Sequence, residues 1–128
     1  MIQTSIVPWL SLKNSAQAVE FYKAAFGAIE AYRLDIPDGT VVAKLEVDGA
    51  AFWLSEESPD THSGLASPSA GSIRMIFTVS DPDSLFARAL EAGATQVYPI
   101  GEEHGWRLGR LVDPFGNHWE IGHPLDEA

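Results

Sequence analysis

The chain repeats itself. Phe26-Gly27-Ala28 recurs as Ala92-Gly93-Ala94 at an interval of 66 residues, and Trp53 recurs as Trp119 at the same interval. Val47-Asp48-Gly49 is echoed by Val112-Asp113-Pro114-Phe115-Gly116. In a chain of 128 residues that interval is close to half the length. A repeat on this scale describes one supersecondary unit used twice, each copy leaning on the other to bury its apolar face.

The element order within each half agrees. Residues 2–12 mix β-branched and apolar side chains and read as a strand. Asn14 or Ser15 can cap a helix running to Phe26, with Ala18, Val19, Tyr22 and Phe26 at helical spacing and Gly27 at its C-cap. Strands follow at 31–36, 41–47 and 51–55, joined by Pro37-Asp38-Gly39 and Asp48-Gly49. The second half gives a strand at 72–79 and a helix capped by Ser80 or Asp81, with Pro82 in its first turn and Leu85, Phe86, Ala89 and Leu90 as its apolar stripe. Strands at 96–100, 106–112 and 117–122 complete it. The fold class is α+β: two βαβββ modules in tandem, at about 1–55 and 72–124, forming a single domain over 1–128. Residues 56–71 are rich in Ser, Pro, Gly and acidic side chains without hydrophobic periodicity, and read as a linker or lid.

Composition narrows the function by exclusion. Eighteen acidic against eight basic residues leave a net charge of −10, which argues against nucleic acid and anionic membranes as partners and is compatible with a cationic ligand. There is no cysteine, hence no disulfide, thiolate nucleophile or Cys-based metal site. No apolar run approaches the roughly 18 residues of a membrane span, and no signal-like N-terminus is visible, so a cytoplasmic location is expected.

Two stretches carry a family resemblance. Ala18-Val19-Glu20-Phe21-Tyr22-Lys23-Ala24-Ala25-Phe26-Gly27-Ala28 is similar to the first-helix signature of the vicinal oxygen chelate superfamily, which includes glyoxalase I, bleomycin- and fosfomycin-resistance proteins and extradiol dioxygenases. Asp113-Pro114-Phe115-Gly116-Asn117-His118-Trp119-Glu120 resembles the turn before its last strand, and Pro8-Trp9-Leu10 resembles the PhnB-like branch. The resemblance implies strands curled into half-open cups with helices outside, and often a homodimer that closes the cavity.

In metal-dependent members of that superfamily the ligands come from the first and last strands of each unit. The helix motifs set the first-strand positions at Val7 and Arg74, and the matching tryptophans set the last-strand positions at Leu54 and Glu120. Valine and leucine have no lone pair to give, and arginine stays protonated. Glu120 alone could bind a cation, so no cofactor is expected, and an Arg74–Glu120 ion pair is expected in its place. A weaker alternative is an off-pattern metal site from His118 and Glu120, which share a strand face, with His123 or His104.

Period-two alternation puts Trp9, Phe52 and Ile76 on the faces of Val7, Leu54 and Arg74, as further cavity residues. Trp53 and Trp119 then point to the helices. Trp106 falls at the cavity mouth, where it could stack on a planar ligand, and at most one of Arg107 and Arg110 faces the cavity. His104 and His62 read as solvated loop residues. Two function classes stay open. One is a metal-free binding protein that sequesters an aromatic or cationic compound such as an antibiotic, through Val7, Trp9, Phe52, Leu54, Arg74, Ile76, Trp106, His118 and Glu120. The other is a lyase, isomerase or dioxygenase-like enzyme with Glu120 as base or metal ligand.

Overall fold

A computed structural model describes residues 5–57 and 73–125. The order is β1 (Trp9–Leu12), α1 (Ser15–Phe26), β2 (Ile29–Asp35), β3 (Val41–Val47), β4 (Ala50–Glu56), then β5 (Arg74–Thr78), α2 (Pro82–Ala92), β6 (Thr95–Glu103), β7 (Trp106–Val112) and β8 (His118–Pro124). These are the two βαβββ modules. Their sheets run β1-β4-β3-β2 and β5-β8-β7-β6, with β1/β4 and β5/β8 parallel and the other pairs antiparallel. The first strand is shorter than the sequence suggests, and the expected linker falls outside the described residues from position 58 on, together with His62. No described helix is long and apolar enough to cross a membrane.

The first helix is capped from a distance. Asn14 takes the N-cap position of α1 in a left-handed conformation and makes no side-chain cap bond. Glu56 at the end of β4 supplies the cap, accepting from the backbone N–H groups of Asn14 (3.1 Å) and Ser15 (2.9 Å) and from the Ser15 hydroxyl (2.7 Å). It satisfies donors that an α-helix leaves open at its start. At α2, Asp81 caps locally by accepting from Ser84 N at 3.3 Å.

The core lies between sheets and helices and is aromatic at its centre. Tyr22 and Phe26 of α1 pack against Phe52 of the first sheet and Trp119 of the second, with ring centroids 4.8–5.8 Å apart. Buried Asp113 binds the modules together: its carboxylate accepts from the Tyr22 hydroxyl, from Trp119 Nε1 (2.9 Å) and from the backbone N–H groups of Phe115 (2.9 Å) and Asn117 (3.0 Å).

The modules also correct one expectation. The N-caps Asn14 and Asp81 are 67 residues apart, as are the buried pairs Val19/Phe86 and Phe52/Trp119, whereas the tryptophans are 66 apart. A one-residue slip on a strand moves every side chain to the other face. Leu54 and Phe52, expected to line the cavity, are therefore in the core at 0% and 6% exposure. Trp53, expected in the core, stands on the open face of its sheet. Trp119 is core, at 4% exposure.

Candidate ligand-binding site

Each sheet packs helices on one face and leaves the other open. On the first open face the register lines up Trp9 with Trp53, Trp53 with Lys44, and Lys44 with Tyr32. Trp9 and Trp53 are stacked, ring centroids 5.3 Å apart and planes within 8°. Tyr32 is tilted against Trp53 at 5.7 Å, and Lys44 Nζ lies 5.8 Å from the Trp53 ring centroid. The Trp9 indole N–H donates to Ser55 Oγ at 2.9 Å, which fixes its ring edge. Trp9 is nevertheless 53% exposed and Tyr32 47%. Leaving several large rings open to water forgoes burial that each would otherwise gain, so such a surface marks a contact or ligand face.

The second open face is polar. One cross-strand row reads Tyr98, Arg110, Glu120, Ile76, and the next reads Val112, His118, Arg74. Arg74 Nε donates to Glu120 Oε2 at 2.8 Å, the ion pair expected from the sequence, and the Tyr98 hydroxyl reaches the same oxygen at 3.2 Å. Burial and the neighbouring Glu120 carboxylate push the Tyr98 phenol up from its ordinary pKa, against the opposing pull of Arg110 and Arg74. Arg110 Nε donates to His118 Nδ1 at 3.2 Å.

Two hollows adjoin these faces. One of about 140 Å³ lies between the modules, lined by Pro8, Ala51, Phe52, Met75, Ile76 and Trp119 among others. The second, of about 250 Å³, is on the polar face, where Trp106 lines it with Tyr98, Leu108, His104 and Glu120.

Of the sequence candidates, the structure puts Trp9 on the aromatic face, with Val7 exposed just before β1. It gathers Arg74, Ile76, Trp106, His118 and Glu120 on the polar one. Arg110 faces this side, and Arg107 turns to α2, where it pairs with Asp83. His123 alternates to the helix side, so it does not join His118 and Glu120; His104 is an exposed hairpin-tip residue beside Glu103. Sequence reasoning missed Trp53, Tyr32, Lys44 and Tyr98. A count from the helix caps in place of the tryptophans would have found Trp53.

The superfamily's metal does not fit this donor set. With the register corrected, the four first- and last-strand positions are Val7, Trp53, Arg74 and Glu120, which together offer one oxygen ligand beside a guanidinium. Among the described residues no three His, Asp or Glu side chains are grouped as a cation would need.

The comparisons with known proteins agree with this architecture. A model of the glyoxalase-like domain matches residues 9–122. The uncharacterised protein Mb0911c of Mycobacterium bovis is 36% identical over 133 residues, spanning 99% of this chain and 88% of that protein. The crystal structure of TioX from Micromonospora sp. ML1 superposes with a TM-score of 0.75 at 25% identity, over 96% of this chain and 100% of that one. FosX, a genomically encoded fosfomycin resistance protein of Listeria monocytogenes, shares the fold at a TM-score of 0.74 and 16% identity, over 99% and 98% of the two chains. A duplicated βαβββ topology, the matching domain model and a relative covered over most of its length thus converge, and the chain belongs to the glyoxalase-like domain family.

Proposed function

We propose that this chain is a metal-free small-molecule-binding protein whose ligand presents a planar aromatic ring to the Trp9–Trp53 face. The stacked, solvent-open tryptophan pair carries the reading. Base–aromatic and ring–ring stacking tolerates many ligands and contributes about 1–3 kcal/mol per ring. A cationic ligand is less well served, because Lys44 already occupies the Trp53 ring face and two arginines line the polar sheet. An antibiotic is one such aromatic compound; FosX shows that the fold serves a resistance protein in another organism. A homodimer in the cytoplasm belongs to the same reading, since a second copy would supply the opposing wall that each open face lacks.

Titration with planar aromatic compounds should quench tryptophan fluorescence, and Trp53→Ala should weaken that binding at least tenfold. Adding nickel, zinc, manganese or iron should leave the melting temperature unchanged. A stoichiometric ion released only by chelator would overturn the metal-free part, and unquenched fluorescence across an aromatic panel would overturn the ligand class. Light scattering reads the dimer.

A second reading keeps one specific observation. Among the described residues the donors to Glu120, from Arg74 and Tyr98, both converge on Oε2, so that within them Oε1 is open to accept a proton from a bound substrate. Turnover lost in Glu120→Gln with binding retained would favour the enzyme.

A further inference from the structure

The hollow of about 140 Å³ between the modules has none of Trp9, Trp53, Arg74 or Glu120 in its lining, so neither reading above makes use of it. Its deepest residues are Phe52 and Trp119, 6% and 4% exposed, whose rings meet edge to face at 5.4 Å. Met75 and Phe77 of β5 line it half-buried, and Phe77 is tilted against Trp119 at 6.0 Å. Pro8, Ala50 and Ile76 are exposed, so the hollow opens outward past them.

The sequence accounts for the space. Along the face of β4 that carries the core residues Phe52 and Leu54, the first position is Ala50, a small side chain and a poor strand former. A branched apolar residue there would reach into the hollow. An unfilled hollow forfeits dispersion contacts along its walls, and a bound group regains them. The lining also sets the chemistry of that group. Among the described residues it has no charged side chain, and its one strong side-chain hydrogen-bonding group, the Trp119 indole N–H, already donates to Asp113 Oδ2 at 2.9 Å. A charged or strongly polar guest would give up its water and gain no partner. The Phe52, Phe77 and Trp119 rings offer edges and faces to a further ring, and the Met75 thioether adapts its shape to one.

We propose that this hollow is a second ligand site, which takes an uncharged apolar group the size of one aromatic ring. An apolar cavity of roughly 150 Å³ stays dry and admits benzene, so the volume here suits one ring and excludes a fused polycycle. The guest would touch Val47, Ala51 and Phe52 of the first module and Met75, Phe77 and Trp119 of the second. It therefore bridges the modules, and binding to the folded chain raises its stability. The site stands independently of the Trp9–Trp53 reading, because it shares no lining residue with that face.

The test is a nuclear magnetic resonance titration of the intact protein with toluene and with benzoate, which has a similar ring and a charge. The Met75 methyl and Trp119 indole N–H report the hollow, and the Trp9 indole N–H reports the open face. Toluene should move the Met75 and Trp119 signals and raise the melting temperature, whereas benzoate should leave both signals in place. Ala50→Leu, at an exposed position, should fill the hollow and weaken the toluene-induced shifts about tenfold in affinity, and Trp53→Ala should leave them as they are. Met75 and Trp119 unmoved by toluene would overturn the site, and movement of Trp9 alone would do so while leaving the open-face reading standing. Equal shifts with benzoate would overturn the uncharged ligand class. Toluene affinity at Met75 unchanged in Ala50→Leu would overturn the placement of the guest in the hollow.

Discussion

Trp9 lies flat on Trp53, ring centroids 5.3 Å apart and planes within 8°, on the solvent side of the first sheet. Two indoles stacked in this way share one of their faces; Tyr32 and Lys44 flank Trp53, whereas Trp9 remains 53% exposed. Trp119 is the reverse, 4% exposed and edge-on to both Phe26 and Phe52. Trp9→Ala should therefore cost about 0.5–1.5 kcal/mol, the worth of an aromatic pair. Trp119→Ala should cost about 3–5 kcal/mol, as buried ring deletions do. Urea denaturation of the two variants separates these values; equal losses would contradict the assignment of faces.

The same two tryptophans show what could be read from the sequence and what could not. The helix stripes, the glycine caps and the alternation of Ala43, Leu45 and Val47 are local patterns, and the structure follows them. The relation between the halves is not local. Trp53 and Trp119 look like a repeated pair, yet one packs a core and the other an open sheet, because the modules differ by one residue between a repeat counted on glycines and one counted on caps. Arg74 and Glu120 were legible as partners because their strand faces follow from parity alone. Tyr98 was not, since the register of β6 against β7 shifts on both sides of it and no sequence pattern marks that irregularity. Nor was the remote capping of α1 by Glu56, which depends on β4 ending beside the helix start.

Asp113 gathers four donors in a buried turn, and Tyr22 is the one that comes from the other module. Burial, reinforced by the Asp113 carboxylate, pushes the Tyr22 phenol well above its ordinary value of 10.0. The folded chain then keeps a proton that the unfolded chain releases near pH 10, so this contribution is complete below that pH and is lost as pH rises beyond it. Tyr22→Phe should lower stability by about 1–3 kcal/mol near neutrality and flatten the decline above pH 10. Urea midpoints followed from roughly pH 8 to 11 measure both effects. An alkaline decline of unchanged slope in Tyr22→Phe would show that another group controls it.

Glu56 gives the acid counterpart. Burial alone would raise its carboxyl, but the Ser15 amide and hydroxyl and the Asn14 amide outweigh that and hold it below the ordinary 4.5. A group with a lowered folded pKa stabilises above its unfolded value and loses that contribution as pH falls through the folded one. Glu56→Gln should cost about 1 kcal/mol at neutral pH, as loss of a helix cap does, and should make stability less sensitive to acid below pH 4.5. Thermal melts across that range decide it; an acid limb unchanged by the substitution would assign the sensitivity elsewhere.

Gly122 sits one step beyond Glu120 on the same face of β8, where β7 passes very close. A Cβ there would fall 2.1 Å from the Arg107 carbonyl oxygen and 2.5 Å from Leu108 Cβ, so backbone has to move. Gly101 on β6 has nothing within 4 Å of such an atom. Gly101→Ala should therefore stay within about 0.5 kcal/mol of the parent, and Gly122→Ala should lose about 3 kcal/mol or more, the upper range for overpacking. The displacement also reaches the site. Glu120 is two residues from the clash and meets Arg74 at 2.8 Å, a spacing that a shifted β8 does not preserve. Gly122→Ala, studied at a temperature where it is still folded, should thus alter the Tyr98 and His118 ring resonances as well as stability. Unchanged resonances together with a large stability loss would mean that β7 yields to the new methyl group and β8 stays in place.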